Sequence, residues 1–425
     1  MNFLLIILGK TISYISKILN LGHGSTWPGH IALKLNNNFI NQFLSTNSLK
    51  VIFVVGTNGK TTTSKLITTV LNKENKKTLR NVSGANLLNG VVSSIILNSN
   101  LQGKLDKDYA VFEIDENALS QISEYIEPDY LIILNLFRDQ LDRYGEINTI
   151  AKRWTETISN FKKTILILNA DDPQVAYIGI NSKLKSYYFG LNEETNRDTA
   201  NQSVDSIYCP KCNKRLNFEK VYFSHLGIWS CGNCKLMRPK LSISKFRFLP
   251  LAGTYAIYDT LACVLLCQKL GLTEKGIISG LKTFKPAFGR QEDLKYENTN
   301  VKIFLSKNPI SFNESLDTVK KLGGKTLILA LNDRIPDGLD VSWIWDIDFE
   351  TLINKDMTIF VTGDRKFDMS LRLKYADKFN QVIDNFSKDL DKIIENLDKN
   401  ETLYILPNYS AMLDIRKSLT GKKIL

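Results

Sequence analysis

Residues Val51 to Ser64 form an apolar run that passes directly into a glycine-containing turn ending in Lys60, Thr61 and Thr62. Gly56 and Gly59 let main-chain N–H groups approach phosphate oxygens, Lys60 reaches terminal phosphates, and Thr61 offers a hydroxyl to Mg²⁺ where a helix begins. Thr57, Asn58 and Thr62 complete this candidate nucleotide cradle. The spacing departs from the widespread phosphate loop, which wants another glycine where Val54 stands, and the shortened form narrows the choice of NTPase. Three further apolar runs stop in polar clusters, at Glu113 to Glu116, at Asn135 to Gly145 and at Asn169 to Pro173. In α/β sheets ligands gather at the carboxyl ends of strands, so these clusters predict a nucleotide and metal site. Glu113 is the candidate Mg²⁺ ligand beside Thr61, whereas Glu116 reads as a solvated loop acid.

Four of the six cysteines form two pairs, Cys209 with Cys212 and Cys231 with Cys234, eighteen residues apart. Two such knuckles present four thiolates tetrahedrally and predict a zinc ribbon. With every ligand a cysteine no position stays open, so the zinc is expected to be structural. Lys211 and Lys214 stand where they offset charge at the first knuckle. Disulfides are the weaker reading, because no export signal is visible. Cys263 and Cys267, four residues apart in an apolar run, read as core.

The elements that position these residues follow from the pattern. After the loop, strand candidates at Tyr109 to Ile114, Tyr130 to Leu136 and Thr164 to Asn169 alternate with helical stretches, as in a parallel α/β sheet. A polar loop, Asn192 to Ser206, leads into the ribbon, residues 206–239, which reads as an insertion. Beyond a turn at Lys285 to Arg290 a second α/β series follows, with strands expected at Lys302 to Leu305, Thr326 to Leu331, Met357 to Val361 and Thr402 to Ile405. The expected domains are a helical segment 1–48, a central ATPase domain 49–293 and a C-terminal α/β domain 294–425. A chain of 425 residues is too long for one core. Its 43% hydrophobic and 23% charged residues are those of an ordinary globular protein. The net charge of +11 favours an anionic partner, whether a nucleotide sugar, a membrane surface or nucleic acid. At the N-terminus the uninterrupted apolar run Phe3 to Leu8 is far shorter than the ~20 residues a membrane span needs. Leu4, Leu5, Leu8, Ile12, Ile15 and Leu19 fall mostly on one helical face, which is expected to pack on the body of the protein in preference to a membrane surface.

Taken together, Gly56 to Thr61, Glu113, the Asn135 to Gly145 segment, Asn169 to Pro173 and Phe288-Gly289-Arg290 resemble the Mur ligase family, ATP-dependent enzymes that join amines to carboxylates. The ribbon, the run Arg138 to Gly145, Ser306 to Pro309, Leu331 to Asp333, Asp337 to Asp346 and Pro407 to Tyr409 are similar to the MurT-type branch, the ligase-like subunit of lipid II isoglutaminyl synthase. With that branch the similarity reaches nearly the whole chain, including Pro28-Gly29. It implies a Mur-ligase-like central domain with a parallel sheet, the inserted four-cysteine ribbon and a smaller C-terminal α/β domain.

The resemblance also implies a carbon-nitrogen ligase with glutamine as amido donor. ATP and Mg²⁺ would activate the D-glutamate α-carboxylate of the lipid II stem peptide as an acyl phosphate, with Lys60 and Glu113 as catalytic groups. Asn135, Asp172, Asp259 and Arg290 would join the loop in holding the nucleotide. Ammonia would come from a GatD-type glutamine amidotransferase in a heterodimer, since neither Cys263 nor Cys267 lies in a nucleophile elbow. Asp340 would complete the partner's Cys-His pair, with Asp346 and Asp348 in reserve and Trp343 and Trp345 as interface anchors. A cytoplasmic enzyme follows, with a peripheral position at the inner face of the plasma membrane left open. Two departures stand out. Gln140 occupies the place of a family His, which with Lys152 only a loose match leaves a second metal open; Ala256 replaces an Asn and leaves adenine recognition open. The alternative is a stand-alone ligase adding an amino acid. A zinc-ribbon nucleic-acid binder is disfavoured, since the ribbon is short and acids cluster near the loop.

Overall fold

The computed structural model describes residues 2–18, 26–81, 84–137, 147–192 and 206–421. They divide into two compact units, the second formed by residues 251–255 together with those from Lys285 onward. Residue 293, the expected boundary, falls inside a strand of the second unit, because the polar stretch at 290–296 pairs as a sheet edge.

In the first unit six strands, β1 (Lys50–Val55), β2 (Thr78–Arg80), β3 (Tyr109–Glu113), β4 (Tyr130–Ile133), β5 (Ile165–Asn169) and β6 (Ser186–Phe189), form one sheet ordered β2-β3-β1-β4-β5-β6. All pairings are parallel. β3 and β4 are buried at every residue, which is why they read as unbroken apolar runs. From β1 the chain proceeds to one side through β2 and β3 and then to the other through β4, β5 and β6. The carboxyl end of β1, between β3 and β4, is therefore the topological switch point where such sheets bind ligands.

Helices α1 (Asn2–Ile18), α2 (Trp27–Leu35) and α3 (Phe39–Thr46) precede the sheet; α4 (Lys60–Lys73) follows β1 and α5 (Leu88–Asn98) follows β2. Pro28 stands in the first turn of α2, and Gly29 lets the helix approach α5: a Cβ there would stand 1.9 Å from the Asn89 carbonyl oxygen, and the Gly29 N–H donates to Ser93 Oγ at 2.8 Å. The orientation of α1 differs from expectation. Leu5, Ile6, Gly9, Ser13 and Ser16 face the body, whereas Leu4, Leu8 and Ile15 of the apolar stripe are exposed. Leu19 lies outside the described residues, as do residues 193–205 of the expected loop and the run Arg138 to Gly145 with Gln140.

The ribbon is a hairpin of β7 (Asn217–Phe223) and β8 (Leu226–Ser230), with a cysteine knuckle at each base. Strands β9 (Arg290–Tyr296), β10 (Thr299–Phe304), β11 (Thr326–Ala330), β12 (Thr358–Thr362), β13 (Gln381–Val382) and β14 (Thr402–Pro407) build the second unit's sheet, ordered β13-β12-β11-β14-β10-β9. Only β9 is antiparallel. Two separate apolar clusters form this unit's core, one around Phe312 and Phe349 and the other around Ile328 and Ile405.

Candidate active site

At the end of β1 the chain turns through Gly56, with φ of +146°, and Gly59, with φ of +89°, the residue that caps α4. Gly59 is required twice over, since a Cβ would also meet Asp259 Oδ1 at 2.2 Å. Asn135, just past β4, clamps the loop: its Oδ1 accepts from the Asn58 N–H at 3.0 Å and its Nδ2 donates to the Asn58 carbonyl at 3.1 Å. Thr57 Oγ1 accepts from the Phe137 N–H at 3.0 Å. Asp172 supports that segment in turn, one oxygen accepting from the Leu136 N–H at 2.8 Å and the other capping the helix Pro173–Asn181. Asn135 and Asp172 thus shape the cradle through its main chain, and Asp259 lies against it.

Two buried carboxylates face the first turn of α4. Glu113 Oε1 accepts from Thr61 Oγ1 at 2.9 Å, and its Oε2 is buried without a partner. Asn81 fixes Glu113 by bonding its main-chain N–H and carbonyl. Glu116 is not the solvated acid expected from sequence: it is 4% exposed, and its Oε2 lies 2.9 Å from Lys60 Nζ. Lys60 also donates to the Gly56 carbonyl. Burial works against the Lys60 ammonium, but Glu116, with Glu113 and Asp115 behind it, outweighs that and raises its pKa above the ordinary lysine value. Lys60 is therefore held cationic at the mouth of the loop. Thr62 is buried in the same turn, and Asn58 Nδ2 has no partner. A helix N-terminus, a cation, a hydroxyl and a buried carboxylate oxygen lacking a partner together fit a nucleoside triphosphate with its divalent cation.

The four cysteine sulfurs lie within 4.8 Å of one another, with Cys209 3.5 Å from Cys234 and Cys212 3.5 Å from Cys231. The cluster is compatible with a structural zinc ion. At the first knuckle the main-chain N–H groups of Lys211 and Lys214 donate to the thiols, so these lysines act through their amides. The hairpin reaches the site's scaffold, a link the spacing did not reveal. Trp229 Nε1 donates to the Ala170 carbonyl at 3.0 Å, and the Gly227 N–H donates to that of Asp171 at 3.0 Å. His225, fully buried, packs its ring 4.7 Å from that of Phe137 and places Nε2 3.3 Å from Asp172 Oδ2. Asp171 accepts from Arg238 Nε at 2.6 Å and Tyr258 Oη at 2.6 Å, while burial pushes its pKa up to about 6. A lone His inside the apolar stretch Tyr222 to Trp229 was the available signal for this contact. Lys152 lines a cleft of 590 Å³ beside Cys209 to Asn213.

Residues 54–267 match the Mur ligase middle domain, and residues 305–412 match the MurT ligase C-terminal domain. The chain is 34% identical over 414 residues to the lipid II isoglutaminyl synthase (glutamine-hydrolyzing) subunit MurT of Staphylococcus aureus (strain COL), covering 93% of each. It belongs to the MurT family. The MurT subunit of Streptococcus pneumoniae (strain ATCC BAA-255 / R6) is 33% identical over 428 residues, 95% of this chain and 94% of that one. The pseudomurein peptide ligase type C of Methanothermus fervidus shares the fold, with a TM-score of 0.67 and 20% identity over 88% of this chain and 78% of its own. This MurT-family chain is accordingly a ligase subunit.

The remaining MurT-type candidates belong to the second unit. Arg290 opens β9 and is half-buried. Asp340 is exposed and accepts from the Ser342 N–H at 2.8 Å and its Oγ at 2.9 Å, just ahead of the turn Ser342–Asp346. The Ser342 N–H and hydroxyl hold its carboxyl below the usual carboxylate range. Asp346 is exposed, whereas Asp348 accepts from Asn313 Nδ2 at 2.9 Å. The two tryptophans separate: Trp343 packs into the unit's own core near Phe312, while Trp345 is 48% exposed and stands edge-on to Tyr375.

Proposed function

We propose that this MurT-family chain uses ATP to activate the α-carboxylate of D-glutamate in the lipid II stem peptide and amidates it to D-isoglutamine. The observation that carries the ATP half is Glu113 Oε2, buried and unpaired beside the Thr61 hydroxyl at the sheet's switch point. A carboxylate oxygen attacks the terminal phosphorus and ADP leaves; ammonia then attacks the acyl carbon, phosphate departs and a proton is released. Lys60, kept protonated by Glu116, stabilises charge on the transferred phosphoryl group, and the Asn135 clamp holds the loop amides in place for it. Magnesium held by Thr61 and Glu113 would share that charge.

Ammonia reaches this subunit from a GatD-type glutamine amidotransferase partner. The chain's own cysteines favour that division of labour. Cys263 and Cys267 are fully buried, and burial pushes the Cys263 thiol well above its ordinary value, while the other four form the ribbon cluster. Asp340, exposed and held as a carboxylate, orients the partner's His. The heterodimer works at the inner face of the plasma membrane, where lipid II is presented. Among the described residues no helix is long and apolar enough to cross it.

The test is amidation of lipid II by the chain with ATP and an ammonium salt, and by the heterodimer with glutamine. Asp340→Asn should abolish the glutamine-dependent reaction and leave the ammonium-dependent one within about twofold. Equal loss of both activities would remove Asp340 from the partner's site. A product carrying an added amino acid in place of an amide would defeat the proposed reaction.

A further inference from the structure

Helix α1 turns its more apolar side outward. Its inward side is made largely of small residues, and Gly9 sits so close to α5 that a Cβ would meet Ile96 at 2.9 Å. Its outward side presents Phe3, Leu4, Leu8, Tyr14, Ile15 and Ile18, between 41% and 68% exposed. At the helical repeat these six fall in an arc of roughly 140°, interrupted among polar residues by Thr11 alone. Trp27, beside the Pro28 that packs on Gly9, is another 59% exposed. Nothing in the core requires this face, and a stripe of that breadth marks an interaction surface.

The charge around it selects the occupant. The helices before the sheet, residues 1–49, contain three lysines, Lys10, Lys17 and Lys34, and no Asp or Glu. A second copy of the chain would set these lysines against lysines, whereas anionic headgroups neutralise them. We infer that α1 lies in the plane of an anionic phospholipid surface, its Phe3, Leu4, Leu8 and Ile15 side inserted between headgroups, and docks the first unit on the membrane. This deepens the proposed action on lipid II by naming the docking surface, yet it is tested without lipid II.

Sedimentation of the full chain with vesicles of phosphatidylglycerol and phosphatidylcholine, against phosphatidylcholine alone, reads membrane docking in the absence of ATP and partner. Its failure is thus separate from failure of the amidation assay. Wild-type chain should bind the anionic vesicles about tenfold more tightly or better, with the advantage shrinking as salt rises. Leu4→Gln/Leu8→Gln/Ile15→Gln should weaken that binding about tenfold at unchanged melting temperature. Leu4→Gln alone, at the most exposed of the three, should lose part of it and serves if the triple variant does not fold. Equal binding of wild type to both vesicles, or unaltered binding by the folded variants, overturns the inference. So does lipid-free dimerisation that Leu4→Gln abolishes, which would give the face to a second copy.

Discussion

The first unit's sheet is all parallel and the second unit's is parallel but for β9, yet their carboxyl edges are finished in opposite ways. In the second unit the polar groups close on one another: Asn408 Nδ2 donates to the Asn332 carbonyl at 2.6 Å, Asn332 Nδ2 donates to Ser410 Oγ at 3.1 Å, and Ser410 donates through its N–H and hydroxyl to Asp337. None of these buried side-chain atoms lacks a partner. In the first unit the equivalent edge leaves Asn58 Nδ2, Thr63 Oγ1 and Glu113 Oε2 buried and unpaired around the loop. Burying an unpaired polar group costs about 1–3 kcal/mol, so such atoms persist where a ligand will satisfy them. One edge is locked and the other is open for chemistry.

The largest effect that would break this contrast is at Lys60. Lys60→Ala should lower ATP-dependent turnover by about a thousandfold or more, as expected for a cation serving only the phosphoryl-transfer step. It also strands Glu116 without its buried partner, so thermal unfolding should show a loss of about 3 kcal/mol that Lys60→Ala/Glu116→Gln partly recovers. Turnover near wild type would mean that the open edge is not a phosphate site.

Chelation comes next. Stripping metal from the four-cysteine cluster should lower the melting temperature on the order of 10 °C. Because Trp229, Gly227 and His225 lean on residues 170–172, ATP binding should weaken while the reaction product stays the same. An unaltered melting temperature would remove the ribbon's structural role.

The smallest effect belongs to the locked edge. Ser410→Ala removes the hydroxyl between Asn332 and Asp337 and should cost about 1–2 kcal/mol in denaturant unfolding with ATP affinity unchanged. A loss of ATP affinity there would erase the distinction between the two edges.

How far the sequence carried this picture depends on what each residue reports locally. Gly56, Gly59, Lys60 and Thr61 announced themselves because a phosphate cradle needs those types in that order, and the two cysteine pairs did so for the same reason. β3, β4 and β5 were legible as apolar runs, since both faces of a parallel sheet are covered. β9 was not, because Arg290 to Tyr296 is a polar, half-exposed edge strand that pairs antiparallel to β10. Glu116 escaped because nothing in its neighbours says that Lys60, far off in sequence, comes to it. The stripe on α1 was visible, but periodicity cannot tell which side of a helix faces the protein; the small residues Gly9, Ser13 and Ser16 were the clue to close packing on the other side.

Calorimetric titration of ATP into the chain, with and without Mg²⁺, tests the open edge most directly when wild type is set beside Glu113→Gln. Wild type should bind ATP about tenfold or more tightly with Mg²⁺ than without, and Glu113→Gln should lose that gain while keeping the fold. The same Mg²⁺ gain in both proteins would contradict the assignment of the unpaired Glu113 oxygen to the nucleotide's cation.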